Sequence, residues 1–199
     1  MITIYGDVNS GNCYKVKLTA ELLGIPYKWI HVDILNRETQ SQAFLAKNPN
    51  GKIPCLVLTS GDCLAESNAI INYLAKDSSL YPNDPLTQAY IQQWQFFEQY
   101  SHEPYIAVAR FIKKYLGLPK DKEQDFASKQ EGGHKALTVI EKTLAKQVYL
   151  VNDQLSTADI SLFAYTHVAD EGGFDLDKYP NIKQWIKRIE RQSNYIAIG

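Results

Sequence analysis

The chain has 199 residues, 45% hydrophobic and 22% charged, with 21 basic against 22 acidic side chains and a formal net charge of -1. That length holds one or two domains with a real core, so folding asks for no disulfide or metal staple. The even charge argues against a general binder of nucleic-acid backbones, and the ordinary apolar content is wrong for a disordered chain.

The start, Met1-Ile2-Thr3-Ile4-Tyr5-Gly6-Asp7, lacks the basic flank and apolar run of a signal peptide. No stretch approaches the roughly 18 apolar residues that suggest a membrane span. The expectation is a soluble, cytoplasmic protein with no membrane or nucleic-acid partner. Cys13, Cys55 and Cys63 are odd in number, with no CxxC, and the histidines at 31, 102, 134 and 167 are scattered. Reduced thiols and no metal site are the simplest expectation.

In chain order, Ile2 to Tyr5 is a short β-rich run that stops at Gly6-Asp7. Cys13, Val16, Ala20 and Leu23 make a helical stripe ended by Gly24 and Pro26. Tyr27 to Val32 predicts a second strand, and Ala43-Phe44-Leu45 a short helix closed by Asn48-Pro49-Asn50-Gly51. Ile53 to Leu58 and Cys63 to Ala65 pair as a hairpin across Ser60-Gly61-Asp62, and a helix starts near Ser67. The order is β-α-β-α-β-β-α over residues 1–77. Residues 78–86, including Tyr81-Pro82-Asn83-Asp84-Pro85, form turns and suit a linker.

Residues 87–199 predict an all-helical domain. An aromatic-rich helix covers Thr87 to about Leu116 with Pro104 as a bend, and another runs from about Asp121 to Lys146. Ser156 and Asp159 form a capping box, with Leu155 and Ile160 as its hydrophobic staple. Ile182, Trp185, Ile186 and Ile189 repeat at helical spacing behind Pro180. Gly132-Gly133 within a helix costs roughly 1 kcal/mol per residue against alanine, which points to close packing or a bend.

Several short segments can carry chemistry. Ser10-Gly11-Asn12 lies where the first strand meets the first helix, a place that stabilises anions and equally suits a plain cap. Lys52-Ile53-Pro54 enters a strand at a proline; only about 5–6% of such bonds are cis, so trans is the bare expectation. Glu66-Ser67 opens a helix with a carboxylate for an ammonium and a hydroxyl and N–H for a carboxylate, or forms an ordinary capped end. Tyr5 reads as packing or hydrogen-bonding scaffold. Cys13, with Ser10 at thioredoxin spacing before it, falls on the apolar face as a small hydrophobe. Tyr100, His102, Tyr105 and Arg110 cluster near the Pro104 bend as candidates for a second-substrate pocket, against the alternative that they are core.

The order of these segments resembles the glutathione transferase superfamily across essentially the whole chain. The resemblance rests on Ser10-Gly11-Asn12, Phe44 to Pro54, Glu66-Ser67-Asn68-Ala69-Ile70 and Ser156-Thr157-Ala158-Asp159. It is closest to bacterial members with serine or asparagine in the active-site turn. It implies a thioredoxin-like, glutathione-binding domain, then a helical domain that shapes the second-substrate pocket, in a homodimer. It also implies a cis bond before Pro54, which reverses the bare expectation. Ile53 would pair with the cysteinyl part of glutathione, Glu66 and Ser67 with its γ-glutamyl head, and Lys52 with its glycine carboxylate. Members often carry His, Gln or Arg near the second helix start, where this chain has Thr39-Gln40.

The implied activity is conjugation of reduced glutathione, a co-substrate rather than a cofactor, to a small hydrophobic electrophile. Ser10, with Asn12 as a second donor or its replacement, would stabilise the thiolate. Glutathione-dependent disulfide or peroxide reduction, or a non-catalytic interaction module, are the alternatives on the same fold.

Overall fold

The computed structural model describes residues 1–199. They divide into two units, Met1–Ser78 with Gln192–Gly199, and Ser79–Arg191. In the first, β1 (Ile2–Gly6) pairs in parallel with β2 (Tyr27–His31), setting Ile4 beside Trp29. On its other edge β1 runs antiparallel to β3 (Cys55–Val57), which hairpins with β4 (Cys63–Leu64), giving the order β2-β1-β3-β4. The alternation of strand residues sends Ile4 and Leu56, both fully buried, to one face. Tyr5 and Cys55 fall on the other, where Cys55 packs with Val32 and Phe44.

Helix α1 (Gly11–Leu22) packs against α3 (Ser67–Leu74), and α2 (Gln42–Leu45) is one short turn capped by Ser41. This is the expected β-α-β-α-β-β-α plan of a thioredoxin-like domain. Of the stripe Cys13, Val16, Ala20 and Leu23 the first three are buried and Leu23 is half-buried, but Tyr14, Lys15, Leu18 and Thr19 are buried too. Helix α1 is enclosed nearly all round, so its periodicity understated its burial. Gly6 shows how tightly it lies on the sheet: a Cβ there would fall 2.8 Å from Cys13 Sγ and 3.0 Å from Trp29.

The last segment departs from the expectation that the helical domain runs to residue 199. Gln192–Gly199 belongs to the first unit, where the buried Tyr14 hydroxyl donates to the Ile196 carbonyl at 2.7 Å. A buried phenol needs an acceptor, and the returning chain supplies it.

The second unit is helical. Asp84 caps α4 (Pro85–Phe97) by accepting the Thr87 N–H at 2.8 Å, so the helix starts two residues before the predicted Thr87. The expected long helix is continuous to Tyr115 but widens into π turns at Glu98–His102 and Phe111–Tyr115, on either side of α5 (Glu103–Arg110). Pro104 follows the first widened turn; lacking an N–H, it breaks the regular ladder there. Helix α6 (Glu123–Leu144) carries Gly132 and Gly133. Cβ atoms there would sit 2.2 Å from the Tyr105 ring and 2.3 Å from that of Phe174, so close packing is their reason.

Helices α7 (Thr157–Thr166) and α8 (Pro180–Glu190) complete the unit, the latter burying Ile182, Trp185 and Ile189. Each fully buried large apolar side chain contributes about 1.5–3 kcal/mol, so the Phe163–Trp185 pair is a principal anchor. No helix is long and apolar enough to cross a membrane.

Candidate functional site

The turn between β1 and α1 is built on Asp7. Its carboxylate accepts the Asn9 N–H at 2.7 Å, and its carbonyl accepts the Ser10 N–H at 3.1 Å. Ser10 then caps α1, its Oγ accepting the Cys13 N–H at 3.4 Å. Capping uses an oxygen lone pair, so the hydroxyl proton is still able to donate. The helix end beside it carries partial positive charge. Beneath it the Cys13 thiol is fully buried, and burial pushes it up to about 12 despite its hydrogen bond to Ser10. A thiol held that high is protonated at neutral pH, so the thiolate of the reaction is not that of Cys13.

Two residues further on, Asn12 joins this turn to α3. The Ser67 hydroxyl donates to Asn12 Oδ1 at 3.2 Å, and the Lys15 ammonium donates to Ser67 Oγ at 3.4 Å. Lys15 is fully buried, so its charge acts at close range and with little screening. Glu66, immediately before, is exposed and has φ 64° and ψ 110°, a left-handed conformation rare for a side-chain-bearing residue. Such backbone costs on the order of 1–3 kcal/mol and persists where its surroundings enforce it. The α3 N-terminus thus presents a carboxylate next to a serine backed by a buried cation.

The third segment is the loop before β3. Asn48, buried, donates from Nδ2 to the Lys52 carbonyl at 2.7 Å and accepts the Asn50 N–H at 3.1 Å. Gly51 has φ 62°, a conformation that favours glycine, and a Cβ there would displace the Gln40 side-chain amide, whose Nε2 would lie 2.5 Å away. Gln40 in turn donates to the Gly51 carbonyl at 3.3 Å. Lys52 is exposed, Ile53 is half-buried against the Phe44 cluster, and the Ile53–Pro54 bond is cis, as the resemblance implies.

The residues expected around a second-substrate pocket separate. Tyr105 lines a cavity of about 160 Å³ with Phe97, Tyr100, Gly132, Ala136 and Val139. His102 and Arg110 are interior instead: His102 Nε2 pairs with Thr166 Oγ1 at 2.9 Å, and Arg110 Nε donates to Glu171 at 2.6 Å. Side chains with essentially no exposed surface do not form a pocket wall, so these two are core residues of the helical unit. Tyr5 packs edge-on to Phe44 at 6.4 Å with Lys47 over its ring, consistent with scaffold. It borders a cleft of about 330 Å³ with Ile30, His31, Val32, Phe44 and Lys47, which none of the expected site residues line.

The sequence alone assigns no role to Lys15 or Gln40. A faint signal existed for Lys15, which follows Asn12 at helical spacing and so shares its face. For Gln40 there was only its place near the second helix.

Comparisons with known proteins agree with this fold. The family "Glutathione S-transferase, N-terminal domain" matches residues 9–77, and "Glutathione S-transferase, C-terminal domain" matches residues 94–193. A crystal structure of a glutathione S-transferase from Pseudomonas fluorescens Pf-5 is 55% identical, with a TM-score of 0.97 over 99% of this chain and 98% of its own. Glutathione S-transferase D6 of Drosophila melanogaster is 31% identical over 94% of this chain and 86% of its own length. A structure of Ure2p in complex with glutathione is 25% identical, with a TM-score of 0.83 over 97% of this chain and 91% of its own. With both halves matched in order and the same architecture carried at 55% identity along nearly the whole length, the chain belongs to the glutathione S-transferase family.

Proposed function

We propose that this transferase conjugates reduced glutathione to small apolar electrophiles through a thiolate held at the N-terminus of α1. The observation that carries the assignment is the Ser67–Asn12 hydrogen bond. It ties a helix end suited to an amino-acid head group to the turn that bears Ser10, so one tripeptide can engage both.

The γ-glutamyl ammonium is received by the exposed Glu66 carboxylate, and its carboxylate by Ser67. Lys15, behind Ser67, adds attraction for that anion. Ile53 pairs through its backbone with the cysteinyl residue. Lys52 receives the glycine carboxylate, on a loop braced by Asn48 and Gln40. At the sulfur, Ser10 donates its hydroxyl proton as a hydrogen bond, with Asn12 as the alternative donor. A free thiol of this kind ionises near ~8.5, and each unit of depression corresponds to about 1.4 kcal/mol of preference for the thiolate. The proton goes to solvent, the sulfur forms a bond to the electrophilic carbon, and the leaving group departs with the electrons of its own bond. Within the helical unit, the cavity lined by Tyr100 and Tyr105, with Ser101 and Lys135 at its wall, supports a place for the electrophile. The family relationship supports a cytoplasmic homodimer acting in detoxification.

Calorimetry with reduced glutathione tests the assignment. The wild type binds, and Glu66→Gln and Ser67→Ala each bind at least about tenfold more weakly, the loss expected for a charge-assisted hydrogen bond. No heat from the wild type, or wild-type affinity in both variants, overturns it. A monomeric mass by light scattering overturns the homodimer.

A further inference from the structure

Two of the three thiols lie together, away from Ser10. In the β3–β4 hairpin Val57 stands opposite Cys63 and Leu56 opposite Leu64. Side chains alternate along a strand, so Cys55 and Val57 share a face, and Cys55 is the diagonal neighbour of Cys63 on it. Their environments differ: Cys63 is exposed, its thiol donating to the Gly61 carbonyl at 3.7 Å, whereas Cys55 is fully buried in the Phe44 cluster. The Lys47 ammonium favours the Cys55 thiolate from nearby, though burial and then Cys63 dominate and push that thiol up to about 11.

We infer that Cys55 and Cys63 form a reversible dithiol–disulfide site that exchanges with low-molecular-weight disulfides, Cys63 attacking and Cys55 resolving. In the first step the Cys63 sulfur, having lost its proton to solvent, bonds to one sulfur of the small disulfide. The other sulfur leaves as a thiolate and takes up a proton. In the second step, with the Cys63 thiol that helped to keep it protonated now consumed, the Cys55 sulfur attacks Cys63 Sγ and its proton goes to the departing sulfur, which leaves as the second small thiol. The protein loses two hydrogens and the small disulfide becomes two thiols. Diagonal strand neighbours stand about 7–8 Å apart at Cα, whereas disulfides span up to about 6.8 Å, so closure draws the hairpin inward. A bond formed against that resistance is readily reduced, which makes the site reversible. Strand β3 begins directly after Pro54 and β4 leads into Glu66, so the bond ties together the two segments proposed to hold glutathione.

The test uses hydroxyethyl disulfide, which has no amino-acid head group for Glu66 and Ser67, so it is independent of the glutathione assignment. Reduced protein is exposed to it, quenched in acid, alkylated under denaturing conditions and mapped by mass spectrometry. Of the three free thiols only that of Cys13 is expected to remain, with a Cys55–Cys63 cross-linked peptide that excess reduced glutathione reopens. Cys63→Ser, a change at an exposed position, should keep both remaining thiols, and Cys55→Ala should stop at a mixed disulfide on Cys63. A wild type that stops at the mixed disulfide, retains all three thiols or consumes Cys13 overturns the inference. So does rapid closure to any other pair.

Discussion

Two helix starts in this chain use similar residues to opposite ends. At α7, Asp159 is fully buried and accepts hydrogen bonds from Ser156 N–H and Oγ, Leu150 N–H and Trp185 Nε1, all at 2.9–3.0 Å. Each of these donors belongs to the helical unit itself. At α3 the residue before the helix, Glu66, makes no capping bond, has a left-handed backbone and points its charge to solvent. Ser67 beside it is tethered to Asn12 and Lys15. A terminus that closes upon itself adds stability, whereas one held open under strain is available to a ligand. Substitutions at the first should therefore cost folding, and at the second, binding.

The largest effect is expected from Asp159→Ala, which leaves three N–H donors buried without their acceptor. Urea unfolding should show a loss of about 3–5 kcal/mol, the scale for breaking a buried charged network. A loss below about 1 kcal/mol would mean that the box contributes little beyond an ordinary cap.

The other end of α7 carries the same internal logic. His167 stacks on Phe163 at 4.4 Å, shares a hydrogen bond between Nδ1 and the Phe163 carbonyl, and is held neutral by burial, which lowers it from 6.5 to about 4. The unfolded chain takes up this proton near 6.5, the folded chain only near 4. Its contribution is thus present above 6.5 and lost as the pH falls towards 4. The shift corresponds to about 3 kcal/mol. Burial raises Asp159 from 3.8 to about 6, which works in the opposite direction, so the informative quantity is the difference from a His167→Gln variant. Wild type should lose about 3 kcal/mol more than that variant between neutral pH and pH 4; parallel profiles would refute the buried neutral histidine.

Glu66→Gly probes the open terminus, with a smaller expected change. Glycine adopts a positive φ without penalty, so stability should hold or rise by up to about 1 kcal/mol. Glutathione affinity should nevertheless fall by about tenfold or more as the carboxylate is lost. A variant that lost stability and kept its affinity would reverse the comparison between the two helix starts.

Much of this was legible because it is local. The Ser156–Asp159 box, the α8 stripe behind Pro180 and the strand–helix order are set by neighbours a few residues apart. The candidate segments at Ser10, Lys52–Pro54 and Glu66–Ser67 were also visible, though their bare chemistry equally suited plain caps and a trans proline. What escaped depended on distant partners. Lys15 looks like a surface lysine until α3 and the sheet enclose α1. His102 and Arg110 resemble pocket residues until Thr166 and Glu171, some sixty positions away, satisfy them in the core. The return of Gln192–Gly199 to the first unit turns on a single acceptor for the Tyr14 hydroxyl, which no periodicity announces.

The central claim is that the start of α1, through Ser10, favours the glutathione thiolate. Its most direct measurement is the ultraviolet absorbance of the thiolate in the protein–glutathione complex, titrated for wild type, Ser10→Ala and Ser10→Thr. The bound thiol should ionise below the ordinary value near ~8.5 in wild type and shift upward in Ser10→Ala. Ser10→Thr, which keeps the hydroxyl, should restore the wild-type midpoint. A wild-type midpoint equal to that of free glutathione, or one unmoved in Ser10→Ala, would contradict the claim.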